Sequence, residues 1–149
     1  EILCGGAIPQ GDQYAKGAYY LPTILAGVTN DAEICRQEIF GPVLCVLPFD
    51  DEAELIAQSN DNDYGLACGV WTRDFPKAWR IARAITSGTV WVNTYKQFSV
   101  STPFGGEKDS GTGREKGRDG IRAYMAQKSV YVDLTGKPHP WARWPDGGA

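Results

Sequence analysis

The sequence has little of what builds metal centres or covalent frameworks. Its 149 residues include one histidine and four cysteines. His139 lies between two prolines near the C-terminus, and Cys4, Cys35, Cys45 and Cys68 show no Cys-x-x-Cys spacing. That pattern argues against a His/Cys metal site and against a disulfide framework. Three of the cysteines sit in apolar, strand-like runs, where a free thiol behaves as a small buried hydrophobe; the expectation is a reducing, cytoplasmic setting. Positive charge is also short. Fifteen Lys and Arg against eighteen Asp and Glu give a net charge of −3 and a pI near 5.1. Nucleic acid and anionic membranes select basic surfaces, so neither is expected as a partner. No apolar stretch approaches the ~20 residues of a membrane helix. No secretory signal and no Asn-x-Ser/Thr sequon is visible.

What is present reads as one globular unit. Hydrophobic residues make up 42% and charged residues 22%, ordinary for a domain of this size with a core. The chain opens with Glu1-Ile2-Leu3-Cys4-Gly5-Gly6, which reads as the middle of a strand, so the sequence is expected to be part of a longer protein.

Short strands are expected over residues 1–8 and 18–25. The continuous apolar run at 42–49 suggests a strand buried on both faces. Asp51 can cap a helix with Glu54 three residues on, and Ala53, Ile56 and Ala57 supply its inward stripe. A second buried strand spans Leu66–Thr72. Asp74 then caps a helix over about 75–86, with Pro76 tolerated in its first turn and Ala78, Ile81, Ala82 and Ile85 facing inward. Thr89–Asn93 is the next strand. This alternation predicts a parallel α/β sheet with both helices on one face. A long Gly/Ser/Pro-rich loop follows to about Arg114, then a short helix near 115–125 and a strand near 127–134. Residues 135–149 read as a tail in which Trp141 and Trp144 are available for docking.

Several segments invite chemistry. Gln37-Glu38-Ile39-Phe40-Gly41-Pro42-Val43 sets a lone carboxylate two residues before an aromatic at the mouth of a strand. Such a carboxylate can grip a ribose diol beside a flat ring; a strand-entry turn with a solvated Glu accounts for the heptapeptide about as well. The run Gly105–Gly117 imitates a phosphate loop but places Thr112 where Lys is needed, and its glycine spacing misses the dinucleotide fingerprint. Plain loop glycines explain it better. Asn93-Thr94-Tyr95-Lys96-Gln97-Phe98 follows a strand's carboxyl end, where open α/β sheets gather ligands.

In order along the chain, these segments resemble the C-terminal part of the aldehyde dehydrogenase superfamily. The matching pieces are Gly17–Leu25, Gln37–Val43, Asn62–Ala67, Gly88–Asn93, Pro103–Gly106 and Ser110–Glu115. The resemblance covers about residues 1–134. It implies an α/β, parallel-sheet αβα catalytic-domain segment over 1–125, with an oligomerisation strand at 126–134 that pairs subunits, the tail lying outside it. It also implies NAD or NADP as cofactor, an aldehyde as substrate and a homo-oligomer. Glu38 matches the family glutamate on the nicotinamide ribose, and Phe40 the aromatic beside the nicotinamide. Lys96, Gln97 and Phe98 fall at the aldehyde entrance, and Phe104 matches a pocket aromatic. Lys96 hints at an anionic aldehyde, although a solvated lysine is the commoner case. Glu107 stands where the family commonly has an aromatic.

Family chemistry uses a cysteine thiolate to attack the aldehyde, hydride transfer to the cofactor, and a glutamate-activated water to hydrolyse the thioester. Both the nucleophile and that glutamate lie upstream of the Glu-x-Phe-Gly-Pro motif in the family. No cysteine here has the nucleophile's Gly-Gln-x-Cys context, so no catalytic residue is assigned. The expectation is a segment inactive without the upstream part of its parent enzyme. The alternative is a non-catalytic assembly module that acts by oligomerising with full-length subunits.

Overall fold

In the computed structural model, which describes residues 1–137 and Trp141, seven short strands, four α-helices and a 3-10 turn at Asp12–Tyr14 are found among the described residues. In chain order the strands and α-helices are β1 (Ile2–Cys4), β2 (Thr23–Ala26), α1 (Glu33–Arg36), β3 (Val43–Val46), α2 (Glu52–Asn60), β4 (Tyr64–Gly65), β5 (Ala67–Val70), α3 (Phe75–Ala84), β6 (Thr89–Val92), β7 (Glu107–Lys108) and α4 (Gly117–Arg122). The α/β class is as expected, with parallel pairing of β2 with β3 and of β5 with β6.

Local chemistry sets where the two longest helices begin. The Asp51 carboxylate accepts from the Glu54 amide at 2.9 Å, and Glu54 reaches back to the Asp50 amide at 2.7 Å. Asp74 likewise accepts from the Lys77 amide at 3.0 Å, with Pro76 in the first turn of α3. Each cap satisfies a backbone N–H that the first helical turn leaves without a partner. Asn60 closes the other end of α3: its amide donates to the Ala84 carbonyl at 2.8 Å and accepts from the Thr86 amide at 2.7 Å.

The core is small and lies on one face of β5–β6. Val70, Ile81 and Ile85 form it, with Leu55, Ile56, Cys68 and Val90 packed against them. Both α2 and α3 contribute, so the expected single-face arrangement holds for this pair. The stripe predicted on α2 differs: Ala53 and Ala57 are exposed, and Leu55 joins Ile56 at the core. The larger leucine buries more apolar area than either alanine, so it sets the rotation of the helix.

Other expectations also give way. There is not one sheet but three groups, ordered β1-β2-β3, β4-β7 and β5-β6. β3 pairs with β2, so its register is fixed away from β5. It is not buried on both faces. Leu44 and Val46 are 57% and 45% exposed, because no helix covers their side of the sheet. β1 is an edge strand exposed throughout, and Cys4 with it. The loop after β6 contains β7 and a bridge between Phe104 and Glu115. No strand forms over 127–134. Among the described residues no strand runs alongside it to complete a ladder. Of the tail, Trp141 is 85% exposed, while His139 and Trp144 lie outside the described residues.

Glycine is required where segments nearly touch. A Cβ on Gly88 would stand 1.7 Å from the Gly105 carbonyl oxygen, so only glycine lets the start of β6 pack on the Gly105-Gly106 turn.

Candidate active site

The aromatic side of the site is built around Trp91. As the inward residue of β6 it is 8% exposed, and its indole N–H donates to the Gln97 carbonyl at 2.7 Å. This bond folds the loop after β6 back onto the strand that carries it. Phe98 then meets Trp91 edge-to-face at 5.5 Å and Phe104 at 5.0 Å, and Tyr95 meets Trp91 at 5.0 Å. Edge-to-face pairs at these separations add stability beyond the area they bury. Gln97, Phe98 and Phe104 wall a cleft of about 360 Å³ together with Trp91 and Pro103. The structure therefore brings together two of the three predicted entrance residues and the predicted pocket aromatic. Lys96 is exposed and outside that wall, with a left-handed backbone at φ 55°.

That turn is held from outside. Asn93, at φ 53°, accepts from the Thr72 amide and donates to the Thr72 carbonyl, both at 2.9 Å, tying the ends of β6 and β5 together. The Lys116 ammonium sits 3.9 Å from the centre of the Phe98 ring, a cation–π contact that sequence reasoning did not anticipate. Trp91 was missed as a wall residue because its position in Thr89–Asn93 reads equally well as ordinary strand core.

Glu38 lies elsewhere. It borders a second cleft, of about 460 Å³, formed by Asn62, Tyr64, Gly65 and Ser110 near the entry to β5 and β6. No lining residue is common to the two clefts. Residues after the carboxyl end of β6 thus account for only one part of the candidate site. Among the described residues the Glu38 carboxylate has no hydrogen-bond or ion-pair partner, leaving its oxygens free as acceptors. Phe40 is 94% exposed, with both ring faces uncovered. A free carboxylate and a bare ring are the groups that a nicotinamide riboside can engage, one through its diol and the other through its flat base. The chain's own residues fit such a cofactor in type.

The Gly105–Gly117 run is tied to the rest of the chain by internal contacts. Arg114 pairs with Glu107 and donates to the Gly106 and Gly113 carbonyls. Glu107 makes this ion pair at a position where the resemblance implies an aromatic. The Ser110 hydroxyl accepts from the Gly65 amide at 3.0 Å.

None of the cysteines has the surroundings of an activated nucleophile. Burial pushes the Cys68 thiol up, and burial followed by the hydrogen bond that the Cys45 thiol donates to Cys35 does the same for Cys45. Raised thiols hold little thiolate at neutral pH. Among the described residues no cluster of His, Cys, Asp and Glu could hold a metal ion, and no helix is long and apolar enough to cross a membrane.

A β–α–β unit with parallel strands and an aromatic-walled cleft is the architecture of an α/β enzyme domain. Residues 1–130 match the profile of the aldehyde dehydrogenase family, and the chain belongs to that family. It is 48% identical over 136 residues to a betaine aldehyde dehydrogenase of Agrobacterium fabrum, covering 91% of this chain and 27% of that one. Among solved structures, the NAD+ complex of an aldehyde dehydrogenase from Bacillus cereus is similar with a TM-score of 0.81 and 41% identity, over 90% of this chain and 26% of that one. The betaine aldehyde dehydrogenase from Staphylococcus aureus in complex with NAD+ gives 0.84 and 35%, over 95% and 28%. The chain thus spans about 27% of the length of the curated relative above.

Proposed function

We propose that residues 1–125 are the C-terminal catalytic-domain segment of an NAD(P)+-dependent aldehyde dehydrogenase that oxidises an aldehyde to a carboxylic acid. The family match over residues 1–130 carries this reading. Glu38 accepts the ribose hydroxyls of the nicotinamide half of the cofactor, and Phe40 packs beside its ring. When bound, the cofactor supplies the hydride acceptor. Gln97, Phe98 and Phe104 line the aldehyde entrance, with Lys96 at its rim. Betaine aldehyde, named for the Agrobacterium relative, carries a quaternary ammonium that aromatic faces attract, so it is the first substrate to assay.

By itself the chain is inactive, because the thiol nucleophile and general base belong to the upstream part of the polypeptide. Its bare surface supports the same view. Phe40, Leu44 and Val46 are 45–94% exposed, apolar area of the kind that a further part of a protein covers. The test is a chimera in which residues 1–134 replace the matching segment of the Agrobacterium enzyme. NADH absorbance should rise with betaine aldehyde and NAD+ in the chimera and stay flat with the chain alone. Turnover by the chain alone would refute the reading, as would a folded, native-sized chimera without turnover.

A second reading, an assembly module, rests on one observation. Val130, Tyr131, Val132 and Leu134 are apolar and 71–94% exposed. Exposed apolar side chains of this kind are suited to packing on a neighbouring subunit. The two readings are compatible if residues 126–134 pair subunits of the enzyme and the 135–149 tail lies beyond that contact.

A further inference from the structure

The turn that carries Glu38 has almost no anchorage of its own. Its internal backbone bonds are short-range, Gly41 N–H to Ile39 C=O at 2.9 Å and Val43 N–H to Gly41 C=O at 2.8 Å. Ile39 and Phe40 face solvent. Its direction is therefore set by its two ends. One end is the register of β3 on β2, where the Thr23 amide donates to the Pro42 carbonyl at 2.8 Å. The other is α1, a four-residue helix with no side-chain cap at its start. A single turn of helix does not persist without outside support.

That support comes from the loop after α2. The Arg36 guanidinium forks onto Asp61, Nη2 to Oδ2 at 2.6 Å and Nη1 to Oδ1 at 3.0 Å, and Nη1 also reaches the Asp61 carbonyl at 2.7 Å. The Asn30 amide backs the same residue at 3.0 and 3.1 Å. The Asn62 amide donates to the Cys35 carbonyl at 3.1 Å. Asn62 also lines the Glu38 cleft, so the clamp on α1 and the wall of the cleft are one piece of chain. Arg36 does not line that cleft, and its fork is committed to Asp61.

We propose that Arg36 is a positioning residue for Glu38: through its bidentate pair with Asp61 it fixes the exit of α1, and with it the aim of the carboxylate two residues later. The proposal rests on the reading that Glu38 meets the cofactor ribose. A planar fork with two parallel bonds fixes direction as well as distance, which a lysine cannot do.

The test is the dissociation constant for NAD+, read by fluorescence titration of the full-length enzyme carrying this segment, in a double-mutant cycle. Arg36→Met should weaken NAD+ binding roughly five- to tenfold, and Arg36→Lys by less. Neither should have a further effect in the Glu38→Gln background, because there is then no carboxylate to aim. The paired swap of Arg36→Asp with Asp61→Arg should recover part of the loss, which keeps the test open if Arg36→Met folds poorly. Equal weakening by Arg36→Met in both backgrounds would mean a general structural role and would overturn the proposal. So would unchanged binding in Arg36→Met while Glu38→Gln binds weakly. If Glu38→Gln itself leaves binding unchanged, the ribose reading falls and takes the proposal with it.

Discussion

Ile81→Ala tests whether the cluster over β5–β6 is the part of the chain that holds it folded. Ile81 is 3% exposed and packs with Val70 and Ile85. The substitution removes three carbons, about 2.4 kcal/mol of transfer free energy, and the cavity left behind raises the cost to about 3 kcal/mol. Trp79 is on the same helix but 58% exposed, stacked only on Phe75 at 6.5 Å. Trp79→Ala should cost under about 1 kcal/mol. Urea titrations followed by far-UV circular dichroism separate the two. With a slope of about 1.5 kcal/mol/M, Ile81→Ala should lower the midpoint by about 2 M, or leave no folded baseline. Trp79→Ala should lower it by well under 1 M on the same slope. A midpoint for Ile81→Ala no lower than that for Trp79→Ala would refute the placement of the core.

Two further outcomes follow from charge and thiol environments. The Asp61 carboxyl is held below its ordinary value by hydrogen bonds from Arg36 and then Asn30, and Glu52 by one from Arg80. A lowered folded value means these pairs stabilise fully above the ordinary carboxylate range and are lost as pH falls through it. The urea midpoint should drop between about pH 5 and about pH 3, and less steeply in the double variant Asp61→Asn, Glu52→Gln; equal slopes would count against the pairing. In native alkylation with iodoacetamide followed by peptide mass mapping, Cys68, half-buried with its thiol pushed up, should label more slowly than exposed Cys4. Faster labelling of Cys68 would indicate an activated thiol and reopen its assignment.

The features legible in the sequence are those whose cause is local. Asp51 and Asp74 announce their helices because a cap needs only a carboxylate and an amide three residues on. The inward face of α3 is legible for a similar reason, since Ala78, Ile81 and Ile85 repeat at helical spacing. What escaped depends on partners distant in the chain. The stripe of α2 was assigned to alanines because nothing local says that Leu55 will meet Val70 and Ile85. β3 reads as doubly buried because apolar composition does not say which face finds a cover. Lys116 over Phe98 and Arg36 on Asp61 join residues 18 and 25 apart, and no spacing rule connects them. Phe98 and Phe104 reached the candidate site by resemblance; that they pack on Trp91 was visible only once the chain folded back through Gln97.

The exposed surface is more informative than the thin core. Phe40, Ile39, Leu44, Val46, Tyr95 and Phe98 are large apolar side chains left 45–94% exposed, and they lie on or beside the segments assigned to cofactor and aldehyde. A stable soluble surface seldom leaves so much large apolar area bare without a partner. An active site that excludes water needs walls on every side, and this chain supplies two separate clefts on one small core. Glu38 and the Trp91 cleft share no wall residue here, so a single reacting centre between them needs a third body of chain to bridge them. The Agrobacterium relative, of which this chain covers 27%, is more than three times as long. The same argument explains why the Glu38 turn is held at its two ends, by the register of β3 and by α1 with its Arg36–Asp61 fork, rather than packed into the core.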